Sequence, residues 1–270
     1  MDLAIAGGFA SDRVAWAFAS AYQAALRALV PDLSQDVLAA LCVTEAAGNA
    51  PRDVKTTLRP AAGGGWMLDG AKRWTTLGPG GQLFLVAARD AQTSTDERPA
   101  LRLVRVPGDA PGVHVDAMPP TPFVPEVPHA RLRFESVTVA DDALLPGDGY
   151  ARYVKPFRTV EDLHVHAAIL AYLVGEARRR RWANAWVERA IATLCTFSSL
   201  ADQDPSSSAV HVALAGALAA GEQLAHEIDA FWSAMEAEAA TRWRRDRALM
   251  GIAGAARTAR AERAWQRLAS

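Results

Sequence analysis

The sequence predicts an α+β protein in which an antiparallel β-barrel or sandwich is set between a reduced N-terminal helical segment and a C-terminal four-helix bundle. Three observations carry this. An apolar stripe at helical spacing occupies 11–30, short β-rich runs broken by turn residues fill 37–149, and from Arg158 to Leu268 the only proline is Pro205. The expected divisions are therefore 1–36, 37–149 and 150–270.

The chain has 270 residues, of which half are hydrophobic and 22% charged, with a net charge of −1. It is long enough to bury a sizeable core, and its charge balance gives no global pull toward nucleic acid or a membrane. The opening MDLAIAGGFASDR has no basic stretch before its apolar run, and Gly7-Gly8 interrupts that run. Neither a signal peptide nor a spanning helix is expected there, so the expected location is the cytoplasm and the stretch reads as a lead-in to the first helix. Cys42 and Cys195 form no CxxC pair, and both read as small buried hydrophobes.

Within 11–30, Val14, Phe18, Ala21, Ala25 and Leu29 mark one buried face of a helix capped by Ser11 and stopped before Pro31. The β-rich runs that follow are VLAALCVT, GGGWMLDGAKRWTT, QLFLVAAR, LRLVRV, GVHVDAM and ARLRFESVTV. Several alternate apolar and polar residues at period two, as Leu132-Arg133-Phe134 does. Gly63-Gly64-Gly65, Asp69-Gly70, Pro79-Gly80-Gly81 and Pro111-Gly112 supply the turns. After Pro146-Gly147-Asp148-Gly149 helical spacing takes over. One helix over 158–199 would be about 63 Å long, so a break is expected near Arg181 to Asn184. The loop DQDPSSS makes a second break, the stripe Val210, Leu214, Leu218, Leu224, Ile228, Phe231 and Met235 continues beyond it, and a third break is expected near Ala239 to Thr241. Four helices result.

No HExxH, GxSxG, P-loop or metal-ligand cluster is present in the sequence. His164 and His166, two apart on a helix, face different ways and do not make a metal pair. The basic clusters Arg178–Arg181 and Arg242-Trp243-Arg244-Arg245 are interleaved with Glu176, Glu188 and Asp246, which reads as a solvated face or a subunit contact and not as a nucleic-acid surface.

More specific chemistry lies in the middle. Leu41-Cys42-Val43-Thr44-Glu45 ends a strand, the loop AAGNAPRD follows, and Thr56-Thr57, Gly65-Trp66, Asp69-Gly70, Lys72 and Trp74-Thr75-Thr76 come after it. Then come Pro111-Gly112-Val113, the run Leu132 to Val139, and Leu144-Leu145-Pro146-Gly147-Asp148-Gly149. In order and spacing, over about 110 residues, this series resembles the middle domain of the acyl-CoA dehydrogenase family. The resemblance implies that fold and an FAD cofactor. It implies Trp74 and Thr76 beside the flavin ring, Leu41, Val43 and Thr44 lining its pyrimidine side, and Gly48 and Asn49 as the nearest equivalents of a Gly-Ser pair that meets phosphate or substrate.

Family chemistry is α,β-dehydrogenation of an acyl thioester, in which a carboxylate takes the α-proton while hydride leaves the β-carbon. The Tyr-Glu-Gly segment that often carries that base has no counterpart here, and neither does the Arg-x-x-Phe-Gly cofactor clamp. The other family position, ahead of an Ala-Ala pair in the first C-terminal helix, leads back from Ala167-Ala168 to Asp162 with Glu161 beside it. As helix N-terminal acids after Thr159, the same two could instead favour the helix dipole. Three readings stay open: an acyl-CoA dehydrogenase acting on acyl-CoA or a similar small molecule, a catalytically silent subunit or scaffold beside a partner, and a flavin-dependent oxidation of another small molecule. Trp182, Trp186, Trp232, Trp243 and Trp265 on the C-terminal helices suggest a homo-oligomer, a dimer or tetramer, with no nucleic-acid or membrane partner expected.

Overall fold

A computed structural model describes residues 1–95, 97–233 and 237–270, which places Met235 outside the described residues. The chain forms two compact units. One combines Met1–Ala28, Thr121–Glu126 and Arg158–Ser270, and the other combines Leu29–Pro120 and Val127–Phe157.

The second unit is a seven-stranded sheet of β1 (Ala39–Cys42), β2 (Thr57–Pro60), β3 (Trp66–Thr76), β4 (Leu83–Asp90), β5 (Leu101–Pro107), β6 (Val113–Ala117) and β7 (His129–Val139). The path runs β1-β4-β2-β3-β7-β6, and β5 pairs with β4. The sheet is mixed and not the antiparallel one expected, because β1 and β2 both run parallel to β4. Ala39 to Cys42 lie beside Leu83 to Val86, and Thr57-Leu58 lie beside Arg89-Asp90, so one side of β4 serves two short strands in turn. A hairpin cannot make such a pairing; the long excursion between β1 and β4 does. The other pairs are antiparallel, and the period-two alternation sends Leu58, Leu68, Phe84, Val86, Val104, Val106, Leu132 and Phe134 into one core. Trp66 packs against that core while its indole N–H donates to Asp141 at 2.8 Å.

The first unit is helical. Where one N-terminal helix was expected there are two, α1 (Asp2–Ala10) and α2 (Val14–Leu29). Gly7-Gly8 does not break α1, because a side chain on Gly8 would stand 2.2 Å from the Ala168 carbonyl oxygen: the glycine lets two helices approach closely. Ser11 closes α1 instead of opening α2, donating its hydroxyl to the Gly7 carbonyl at 2.7 Å. The expected stripe is buried at Val14, Phe18, Ala21 and Ala25.

After residue 149 the described residues form α3 (Lys155–Arg179), α4 (Asn184–Ala201), α5 (Ser208–Glu227), α6 (Asp229–Ser233), α7 (Ala237–Asp246) and α8 (Gly254–Leu268), where four helices were expected. The breaks after Arg179 and Ala201 fall where chain length and Pro205 put them. The break expected at Ala239 to Thr241 lies inside α7, and the chain turns at Arg247–Gly251 instead. Trp182, Trp186, Trp232 and Trp243 are core residues, with Trp232 and Trp243 stacked at 5.6 Å, whereas Phe231 and Trp265 are exposed. Cys42 is buried, but Cys195 is exposed on α4, between buried Leu194 and Phe197. The basic clusters are engaged locally: Arg179 and Arg180 pair with Glu176, Arg242 with Glu238, and Arg245 with Asp246 and Glu126. No helix among the described residues is long and apolar enough to cross a membrane.

Candidate functional site

The candidate face of the sheet is built around an irregularity. Lys72 lies opposite Leu132 and Thr75 opposite Ala130, so Arg73 and Trp74 together oppose the single residue Arg131. This is a β-bulge, which re-aims side chains. Lys72 and Thr75 point inward, with 0% and 1% exposure, while Trp74 is left 48% exposed on the outer side with Thr76 half-buried after it. Trp74 has φ 57, a backbone region that costs a bulky residue about 1–3 kcal/mol and persists only when its surroundings hold it. Two contacts do so. Its N–H donates to the Met118 sulfur at 3.4 Å, and its ring meets the His129 ring edge-on with centroids 6.0 Å apart. Burial pushes the His129 imidazole below its usual pKa.

The end of β1 comes to the same bulge. Ala40 and Cys42 enter the core, which leaves Leu41 and Val43 partly exposed on the opposite face, and the Thr44 carbonyl accepts the Arg73 N–H at 2.7 Å. A buried ion pair fixes this junction from below. The Lys72 ammonium lies 2.7 Å from Glu45 and 3.4 Å from the Val43 carbonyl. Glu45 also accepts the Lys55 and Thr56 N–H groups, at 2.7 and 3.0 Å, and the Thr56 hydroxyl. Burial works against the Glu45 carboxylate, but Lys72 and these donors more than offset it and hold its pKa below the usual range. Gly48 and Asn49 lie in the loop that Glu45 closes, through the Glu45 N–H to the Gly48 carbonyl at 2.8 Å and its reciprocal at 3.2 Å. Gly48 has φ 143, and a side chain there would meet Asp53. The structure thus brings Val43, Thr44, Trp74 and Thr76 together, with Leu41 on the same face; Gly48 connects to them through Glu45, and Asn49 follows it in the loop.

Glu161 and Asp162 belong to the helical unit. Helix α3 begins at Lys155 and follows a π-helical turn at Tyr150–Val154, so both acids stand well inside it and not at its N-terminal end. The two differ. Both Asp162 oxygens are claimed, by Arg257 at 2.8 Å and Arg260 at 2.6 Å, all three side chains being largely buried. No side chain among the described residues bonds the Glu161 carboxylate. Burial, and then the charge of Asp162, push it up to about 7 against the opposing pull of Arg257. His164 and His166 are buried, their Nδ1 atoms donating to the Val160 and Asp162 carbonyls, and no cluster able to hold a metal occurs among the described residues.

Residues 40–137, which contain the whole bulge and the end of β1, match the acyl-CoA dehydrogenase middle-domain family. The resemblance to the acyl-CoA dehydrogenase family thus holds for the middle segment of the chain. Among solved structures, the chain resembles butyryl-CoA dehydrogenase from Megasphaera elsdenii at a TM-score of 0.70 and 12% identity, covering 94% of this chain and 78% of that one. An acyl-CoA dehydrogenase from Geobacillus kaustophilus aligns at 0.62 and 17% identity, covering 84% and 68%. FMN-bound TdsC from Paenibacillus sp. A11-2 aligns at 0.66 and 15%, covering 86% and 74%. No curated protein matches the chain. At these identities the likeness to solved structures is one of fold. Within the matched segment, Met118 and His129 were not singled out from sequence. The signal was there: GVHVDAM and HARLRF read as neighbouring strands, and their register sets the Met118 N–H on the His129 carbonyl at 2.8 Å.

Proposed function

We propose that the chain is a flavoprotein in which Leu41, Val43, Thr44, Trp74 and Thr76 hold the isoalloxazine ring of FAD, and that it oxidises an acyl thioester at the α,β-bond. The observation that carries this reading is Trp74: a large aromatic held half-exposed at φ 57 on the outer side of the sheet, where the core gains nothing from it. Strain of this kind concentrates at ligand sites. These residues fit a flavin chemically. Trp74 offers a flat apolar wall, Leu41 and Val43 extend it, and the hydroxyls of Thr44 and Thr76 can donate toward polar ring edges. A bound flavin supplies the hydride acceptor.

For the proton of that reaction the helical unit offers Glu161. Among the described residues no side chain bonds its carboxylate, and burial pushes it up to about 7, which suits a group that must take up and release a proton at neutral pH. Asp162 is spoken for by two guanidinium groups, and its role is to fix α8 to α3. Gly48 and Asn49 remain candidates for phosphate or substrate contact at the loop that Glu45 closes.

Titrating the purified protein with FAD and with FMN tests the reading. The flavin absorbance should shift on binding, and Trp74→Ala should weaken binding by about tenfold, the worth of one aromatic face. Anaerobic addition of acyl-CoA should bleach the bound flavin, and Glu161→Gln should abolish bleaching while leaving flavin affinity intact. A flavin spectrum untouched by the protein overturns the proposal.

A further inference from the structure

The bulge that presents Trp74 also gathers two arginines that no ion pair engages among the described residues, although Asp116, which pairs with Arg133, lies opposite Arg131 on β6. Along β7, Ala130, Leu132 and Phe134 enter the core, so Arg131 and Arg133 stand on the outer face. Arg133 is paired, with Glu135 at 2.7 Å and Asp116 at 3.6 Å. Arg131 and Arg73 are not. Among the described residues neither guanidinium makes an ion pair or a hydrogen bond, and the Nε of Arg73 is shut off from solvent without any partner. These two arginines oppose each other across β3 and β7 at the bulge itself.

For stability alone this is a poor arrangement. Like charges opposite one another on a strand pair repel, and an N–H buried without an acceptor loses its hydration for nothing. Both costs vanish if an anion sits between the two guanidinium groups. Arginine presents a planar fork of donors that matches phosphate oxygens two at a time, which a lysine cannot do. Trp74, on the same bulge and the same face, would take a flat ring beside that anion.

We infer that Arg73 and Arg131 form an anion-binding pair that takes the phosphate of a nucleotide-type ligand whose aromatic part lies against Trp74. The inference rests on the reading of Trp74 as a ligand platform. It adds a charge-recognition element drawn from a position, Arg73, that the motif residues on either side of it do not include. Two ligands carry the required chemistry, a flavin nucleotide and coenzyme A.

Equilibrium binding of riboflavin, FMN, FAD and CoA to the wild type, Arg73→Gln and Arg131→Gln separates the sources. If the phosphate is the flavin's, FMN and FAD weaken about tenfold in each variant and lose much of their salt dependence, while riboflavin is unaffected. If it is that of CoA, the CoA affinity drops and the flavins are untouched. Either outcome supports the pair. Arg131→Lys, which keeps the charge and loses the fork, should fall between wild type and Arg131→Gln. The apo variants should melt no lower than wild type, because a repulsion is removed. Failure of the flavin reading alone is recognisable: no flavin binds the wild type, yet CoA still weakens in both variants. The inference is overturned if both variants bind every ligand as the wild type does, or if the wild type binds none of the four.

Discussion

At the scale of single residues, the buried Glu45–Lys72 pair decides whether the candidate face keeps its shape. Lys72 is fully buried, and its only charge partner among the described residues is Glu45 at 2.7 Å. Removing one member strands the other, which typically costs about 3–5 kcal/mol, whereas removing both can be nearly neutral. Lys72→Met should therefore lower the urea midpoint sharply, and Lys72→Met combined with Glu45→Gln should recover most of the loss. A double variant as unstable as the single would show that the pair does not act as a unit. The sequence named both residues as parts of one motif series, but not their partnership, since 27 positions separate them and only the return of β3 past the end of β1 joins them. Trp74 was legible as a flavin candidate through its neighbours. Its left-handed backbone was not, because nothing in a Lys-Arg-Trp-Thr-Thr run signals φ above zero for a tryptophan.

At the scale of elements, local patterns were readable and long-range choices were not. Period-two alternation marked β5 and β7, β-rich runs marked β3 and β4, and turn residues bounded them. The parallel placement of β1 and β2 beside β4 left no local trace, because each strand's own alternation is the same for either direction of pairing. Gly7-Gly8 misled for a related reason: glycine is a poor helix former in isolation, and its value in α1 comes from a backbone far along the chain. Two glycine substitutions in helices test this directly. Gly8→Ala in α1 should destabilise the protein by about 1–3 kcal/mol, because the new methyl has no room against Ala168. Gly216→Ala in α5, where nothing among the described residues lies within 4 Å of the added carbon, should stabilise by about 0.5–1 kcal/mol. Thermal melts of the two variants should shift in opposite directions, and equal shifts would remove the packing argument for α1.

At the scale of the whole molecule, α3 collects groups that titrate against one another, and they set how stability varies with pH. In the folded protein His164 and His166 are held near 4 against an ordinary 6.5, chiefly by burial, with the charge of Arg257 adding to it at His166. The unfolded chain binds these protons more readily, so their contribution is complete above about 6.5 and is lost as pH falls toward 4. Glu161 has the opposite sign. Its carboxyl is raised from 4.5 to about 7, so the folded protein holds that proton more tightly, and stability is lost as pH climbs through this range. Between 4.5 and 6.5 two histidines outweigh one glutamate, and Glu45, Glu126 and Asp12, whose carboxylates are all held low, add to the loss on the acid side. Stability should thus rise from about pH 4, peak near 6.5, decline modestly through about 7 and then level off. Glu161→Gln removes the declining arm, since an amide cannot ionise beside Asp162, and should raise stability at pH 8 by about 1–3 kcal/mol while changing little at pH 5. Urea midpoints of wild type and Glu161→Gln at about pH 5, 6.5 and 8 measure both arms. A variant less stable than wild type at pH 8 would mean that the Glu161 carboxylate is satisfied in the folded protein, which would also count against its service as the base, because a satisfied carboxylate has no reason to hold a proton at neutral pH.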